Sequence, residues 1–245
     1  MLEHGGKIHA AAQRYGIPAT EWLDLSTGIN PIPFVPPPIP VTAWQRLPQE
    51  QDGLMQAAAV YYGSNNALPL AGSQAAIQLL PRLRSRSRVG VLHPAYAEHA
   101  HAWRSSGHEV IELTPLEIDA ALDRLDVLVL IQPNNPTGTI FTHAQLHDWH
   151  LRLNARQGWL IIDEAFIEAT TQASMVQADM PPGLIVLHSP GKFFGLAGAR
   201  VGFVFAHDDL LLRIQNLLGP WNVSGPSRFV AQAALLDRDW QAATR

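Results

Sequence analysis

Between about residue 66 and residue 205 the chain repeats one pattern: a short aliphatic, β-branched run, a break at Gly, Pro, Asn or Asp, then a stretch of helical spacing. The runs fall at 88–92, 109–113, 126–131, 159–162, 184–187 and 201–205. Apolar residues at successive rather than alternate positions make strands buried on both faces, which requires helices above and below a mostly parallel sheet. The pattern predicts an α/β fold: a three-layer sandwich around a mostly parallel central sheet. A nicotinamide-binding sheet is set aside, because no G-x-G-x-x-G follows the first strand.

A chain of 245 residues with 47% hydrophobic content can build one large core, or a core with a smaller satellite. Its net charge of −4, with both signs interspersed, gives no electrostatic case for nucleic acid or for an anionic membrane surface. The absence of cysteine excludes thiolate catalysis and thiolate metal sites. Residues 1–7 lack the basic-then-apolar pattern of a signal peptide, and no apolar stretch approaches the ~20 residues needed to span a bilayer. A cytoplasmic globular protein is expected. Residues 31–40 are proline-dense, so they are extended backbone outside any central strand, read as a surface strap in preference to an arm crossing to a partner subunit.

Ligands of parallel sheets bind beyond the carboxyl ends of the strands, and the polar motifs fall there. Lys192 lies among glycines and apolar residues in 189–200, where an amine can lose its proton and attack a carbonyl; the same run also suits a surface lysine on a glycine-rich loop. Gly72 and Ser73 sit where a strand turns into a helix, either as a helix cap or as an anion cradle. Residues 132–138 form either a tight turn or a rigid mount for the Asn135 amide. Asp163 ends an apolar strand, where it either caps the next helix or holds a proton on a pyridine nitrogen.

Taken in order, Asn135-Pro136-Thr137-Gly138, Asp163-Glu164-Ala165-Phe166 and Ser189-Pro190-Gly191-Lys192 with Arg200 resemble the signature of fold-type I pyridoxal-phosphate enzymes. The resemblance implies pyridoxal 5'-phosphate as cofactor, Lys192 as the Schiff-base lysine and Asp163 as partner of the ring nitrogen. It places Asn135 beside the ring hydroxyl, Tyr96 stacked on the ring, and Gly72, Ser73, Gln74, Ser189 and Arg200 around the phosphate. It also implies residues 1–45 as an N-terminal arm and strap, residues 46–245 as the large cofactor-binding domain, and a small C-terminal domain largely missing after Arg245.

Narrower features, His4-Gly5-Gly6, the stretch 25–31 and Pro220-Trp221-Asn222-Val223, resemble the threonine-phosphate decarboxylases of cobalamin biosynthesis, relatives of the histidinol-phosphate aminotransferases. That branch implies a phosphorylated amino acid as substrate, decarboxylation as the reaction and a homodimer as the assembly. His4, Gly5, Gly28, Asn30 and Asn135 would then line the substrate. Phe166 stands where many aminotransferases of this fold carry a tyrosine, which favours the decarboxylase branch over transamination. Leu47-Pro48 departs from a Tyr-Pro pair that lends a phosphate contact across the dimer. His143, His147 and His150 recur at helical spacing after Thr142, an expected N-cap, without the carboxylate that a metal site would need. His93, His99, His101 and His108 are expected to be packed or solvated, and the arginines between 82 and 88 to form a solvated face.

Overall fold

The computed structural model describes residues 2–245. At its centre is a sheet of β1 (Ala67–Leu70), β2 (Arg88–Leu92), β3 (Glu109–Leu113), β4 (Val127–Ile131), β5 (Trp159–Asp163), β6 (Leu184–His188) and β7 (Gly202–Phe205). Their spatial order is β1-β7-β6-β5-β4-β2-β3. Pairing is parallel from β3 through β2, β4 and β5 to β6, and β7 alone runs against its two neighbours, β6 and β1.

The helices are α1 (Ile8–Tyr15), α2 (Val41–Gln45), α3 (Leu54–Tyr62), α4 (Ser73–Leu79), α5 (Ala97–Ser105) and α6 (Ile118–Ala121). They continue as α7 (His143–Asn154), α8 (Pro190–Phe193), α9 (Asp208–Leu218), α10 (Gly225–Leu236) and α11 (Arg238–Thr244). Side chains alternate across the sheet, so Leu128 and Leu130 join one core while Val127 and Val129 join another. Residues of α3, α7 and α10 close the first core, and residues of α4, α5 and α9 close the second. This is the expected three-layer arrangement.

Local signals set the helix ends. Thr142 caps α7 in a reciprocal box with Gln145, accepting its N–H at 3.3 Å while Gln145 Oε1 accepts the Thr142 N–H at 3.0 Å. Ser224 accepts the Ser227 N–H at 3.3 Å, so α10 starts two residues earlier than a helix from Ser227 would. Asp237 leaves helical geometry and its carboxylate accepts the Trp240 N–H at 2.9 Å. That restart produces α11, for which the sequence pattern gave no expectation.

The proline-dense strap forms no strand, yet it is more than a surface wrapping. Asn30 N–H donates to the Lys192 carbonyl at 3.0 Å, Phe34 N–H to the Phe194 carbonyl at 2.9 Å, and Asn30 Nδ2 to the Phe193 carbonyl at 2.9 Å. Phe34 is buried beside Phe194 and Trp240. The strap is therefore stapled along the segment that carries Lys192. Gly195 permits this approach, since a Cβ there would lie 2.7 Å from Pro33 Cα.

Candidate active site

The carboxyl ends of β4, β5 and β6 and the start of α4 surround a cavity of about 170 Å³. Lys192 enters it from α8, a single turn begun by Pro190. Burial pulls its ammonium below the ordinary lysine range; the Asp163 carboxylate opposes that depression and the Arg200 charge adds to it. Its Nζ sits 5.6 Å from the centre of the Phe166 ring.

Asp163 closes β5 and is 3% exposed. Its Oδ2 lies 2.9 Å from Nε2 of His99, itself 2% exposed on α5, and its Oδ1 accepts the Ala165 N–H at 3.1 Å. The carboxylate is thus held from two sides in the cavity wall. His99 is packed, as expected, but its contact with Asp163 was not anticipated. A signal was present: Tyr96 and His99 are three residues apart at the start of α5, so one face of that helix serves the cavity and the carboxylate.

At the other end stand Gly72, Ser73, Ser189 and Arg200. Ser73 does not cap α4, contrary to the capping alternative; its hydroxyl instead accepts the Ser189 hydroxyl at 2.8 Å. The reason is positional, since Gly72 occupies the cap and Ser73 is already the first helical residue. Gly72 has φ +81°, and a Cβ there would lie 2.5 Å from Arg200 Nη2, so glycine leaves the guanidinium its place. Arg200 itself has φ +52°, a left-handed conformation uncommon for a residue other than glycine, and donates one N–H to the Ala197 carbonyl at 3.2 Å.

Asn135 borders the cavity on a loop braced by its predecessor. Asn134 Nδ2 donates to the Pro94 carbonyl at 2.9 Å and to Thr137 Oγ1 at 2.7 Å. Tyr96 and Gln74 complete the wall. Burial, with Glu98 and Asp163 nearby, raises the Tyr96 phenol above its usual range and keeps it protonated. Glu98 bridges outward, accepting Gln74 Nε2 at 2.7 Å and meeting His4 Nε2 at 2.7 Å.

The remaining expected residues lie elsewhere. Gly28 and Asn30 line a neighbouring cavity of about 570 Å³ that shares Ala165, Phe166 and Lys192 with the first. A Cβ at Gly28 would lie 2.7 Å from Phe166 Cε1, so the aromatic ring is seated on that glycine. His4 and Gly5 border a separate surface hollow beside α1, with the His4 ring 6.0 Å from that of Tyr96. The α7 histidines diverge: His143 Nε2 meets the Ala173 carbonyl and His150 Nε2 the Pro182 carbonyl.

The cavity is polarised. Two cations, an N-terminal helix turn and two hydroxyls stand near one carboxylate anchored in the sheet, which suits an elongated ligand with an anionic group at one end and a proton-bearing atom at the other.

Residues 45–244 match the aminotransferase class I and II family. The threonine-phosphate decarboxylase of Pseudomonas aeruginosa is 58% identical over 241 residues, covering 98% of this chain and 73% of that protein. One from Sinorhizobium is 43% identical over 240 residues, covering 96% of this chain and 72% of that protein. The crystal structure of L-threonine-O-3-phosphate decarboxylase from Porphyromonas gingivalis superposes with a TM-score of 0.69 at 25% identity, covering 82% of this chain and 69% of that one.

Proposed function

We propose, because the chain belongs to the aminotransferase class I and II family and its site is built around Lys192, that it decarboxylates O-phospho-L-threonine to (R)-1-aminopropan-2-yl phosphate in cobalamin biosynthesis, with pyridoxal 5'-phosphate as cofactor. The observation that carries this reading is the meeting of a depressed lysine, a sheet-anchored carboxylate and an anion cradle in one cavity. The donor set fits the cofactor: hydroxyls, a guanidinium and a helix start suit its phosphate, and a carboxylate suits its ring nitrogen. When bound, pyridoxal phosphate supplies an aldehyde that links to amines and a ring that draws electrons from a bond at the substrate α-carbon.

The chain's own residues do the rest. Lys192, whose ammonium burial disfavours, would be the amine that links to that aldehyde. Asp163, held by His99 and the Ala165 N–H, would hold the proton on the ring nitrogen. Ser73, Ser189, Gly72, Gln74 and Arg200, all lining the cavity, would hold the phosphate, with Tyr96 against the ring and Asn135 toward its hydroxyl. Phe166 offers no hydroxyl where many aminotransferases of this fold carry a tyrosine, which supports decarboxylation over transamination. As CO2 leaves, the pair from the broken Cα–carboxylate bond would be drawn toward the ring, and the Lys192 amine would be the group that returns a proton to Cα.

His4, Gly5, Gly28, Asn30 and Asn135 belong to the substrate side of the same proposal, as does the division at residue 45 between arm and cofactor domain. So does a homodimer, supported by the exposed apolar side chains of Leu23, Leu25, Val35, Val41 and Trp44 along the arm. No helix among the described residues is long and apolar enough to cross a membrane, and a cytoplasmic address is part of the proposal.

Lys192→Ala should abolish both the visible absorbance of bound cofactor and its fixation by borohydride. With O-phospho-L-threonine, decarboxylation releases CO2 and leaves the cofactor aldehyde intact, whereas transamination converts the cofactor to its amine. Conversion without CO2 would replace this reading by a histidinol-phosphate-type aminotransferase.

A further inference from the structure

Directly behind the cavity the same two strands carry a second polar cluster. Successive strand residues face opposite ways. Asp163 and Ser189 line the cavity, while Glu164, the residue after the first, and His188, the residue before the second, meet on the other side. Glu164 Oε2 lies 3.0 Å from His188 Nε2, and Glu168 Oε1 lies 3.1 Å from His188 Nδ1. Ser174 Oγ donates to Glu164 Oε2 at 2.5 Å, and Met175 N–H to Glu164 Oε1 at 2.8 Å. Tyr62 of α3 covers the imidazole at 4.5 Å between ring centres.

The three ionisable side chains are 1%, 0% and 4% exposed for His188, Glu164 and Glu168. Two desolvated carboxylates are tolerable only around a protonated ring. Burial is the largest single effect on His188 and opposes its charge, yet the bonds and charges of Glu164 and Glu168 together carry it up to about 9. None of the three lines the Lys192 cavity; His188 and Glu168 border a separate hollow on the far side.

Apolar residues of equal volume usually fill such a place at no loss of stability. What they do not supply is direction: packed apolar surfaces slide, whereas a ring bonded at both nitrogens fixes the groups on either side. Here those groups follow Asp163, precede Ser189 and Lys192, and follow Phe166, so three cavity-lining segments share one ionic joint. Resting on the proposed function, we infer that His188, held between Glu164 and Glu168, is a positioning residue that locks the ends of β5 and β6 together and thereby sets Asp163 against Lys192.

The test is His188→Gln in the full chain, read in three ways. In cofactor-free protein, hydrogen exchange at the Glu164 amide, which donates to the Leu187 carbonyl at 2.8 Å, quickens roughly tenfold. With pyridoxal phosphate bound, the pH midpoint of the visible band moves from its wild-type position. Release of CO2 from O-phospho-L-threonine falls roughly tenfold to a hundredfold, with KM changed by less than about twofold. His188→Arg, permanently charged and able to fork to two carboxylates, brings midpoint and rate back toward wild type.

If His188→Gln does not fold, Glu168→Gln takes its place and should show the same exchange and midpoint changes at smaller amplitude. A folded variant that melts lower, yet keeps wild-type exchange at Glu164, midpoint and rate, overturns the inference and leaves the cluster a packing feature. A wild-type chain with no visible band overturns the proposed function instead, and the exchange result still decides the joint.

Discussion

Two histidine–carboxylate sites lie one residue apart on the same strand end, and they are built to opposite purposes. In front, Asp163 has one histidine, His99, and one backbone N–H, and still borders an open cavity with Lys192 across it. Behind, Glu164 is fully buried and surrounded by His188, Ser174 and the Met175 N–H, with Glu168 as a second carboxylate on the same ring. The front carboxylate is oriented and left available to a ligand; the rear Glu164 is consumed within the protein, with both oxygens bonded. The pleat makes this possible, since neighbouring acids at a strand terminus must part to opposite faces. Two adjacent acidic residues are thus no sign of a shared chemistry.

The sharpest way to break that contrast is to neutralise each carboxylate in turn. Asp163→Asn should lower decarboxylation by about 10²–10³-fold, because the charge that holds the ring proton is gone while the shape remains. Its melting temperature should move less than that of Glu164→Gln, which leaves a buried polar network incomplete at a cost of about 1–3 kcal/mol. Thermal melts and CO2 release on both variants decide the matter. Equal profiles for the two substitutions would show that front and rear are not separate devices.

How much of this was legible beforehand follows the same divide. The six apolar runs place the strands to within a residue or so, because a strand buried on both faces leaves a continuous apolar mark. Gly72, Asn135, Asp163, Ser189, Lys192 and Arg200 stand at strand ends in a recognisable order, so their gathering around one cavity was readable from spacing. His99 and His188 were not, because each acts through a partner 64 or 20–24 positions away, and no local pattern marks a histidine as paired. The strap was foreseen as extended chain, but its bonds to Lys192 and Phe194 join residues 160 or more positions apart and have no sequence signature. α11 carried no expectation for a simpler reason: seven residues after Asp237 are too few for an apolar period to show.

A smaller effect probes the anion end of the cavity. Gly72→Ala forces a Cβ into a backbone at φ +81° and to within 2.5 Å of Arg200 Nη2, so either the α4 entry or the guanidinium must shift. At φ +81° and ψ 157°, a region open essentially to glycine, alanine costs about 1–3 kcal/mol, and part of that should appear as roughly tenfold weaker pyridoxal phosphate binding. Equilibrium dialysis of the cofactor measures it, with Gly198→Ala as the comparison, where a Cβ meets nothing within 4 Å. Equal losses in both would mean that the Gly72–Arg200 contact does not shape the cradle.

The least dramatic effect concerns pH at the rear cluster. The His188 ring rises from an ordinary 6.5 to about 9 in the folded chain. A group bound more tightly to its proton when folded stabilises the fold fully below its unfolded value and loses that contribution as pH climbs through the folded one. Wild type should therefore exceed His188→Gln in melting temperature by the greatest margin below pH ~6.5, and the margin should shrink between there and pH ~9. The loss is not a loss of carboxylate charge, since Glu164 and Glu168 gain repulsion rather than protons as the ring neutralises. A margin that stays constant from pH ~6 to ~10 would mean that the ring is neutral throughout and that the two carboxylates are held by something other than its charge.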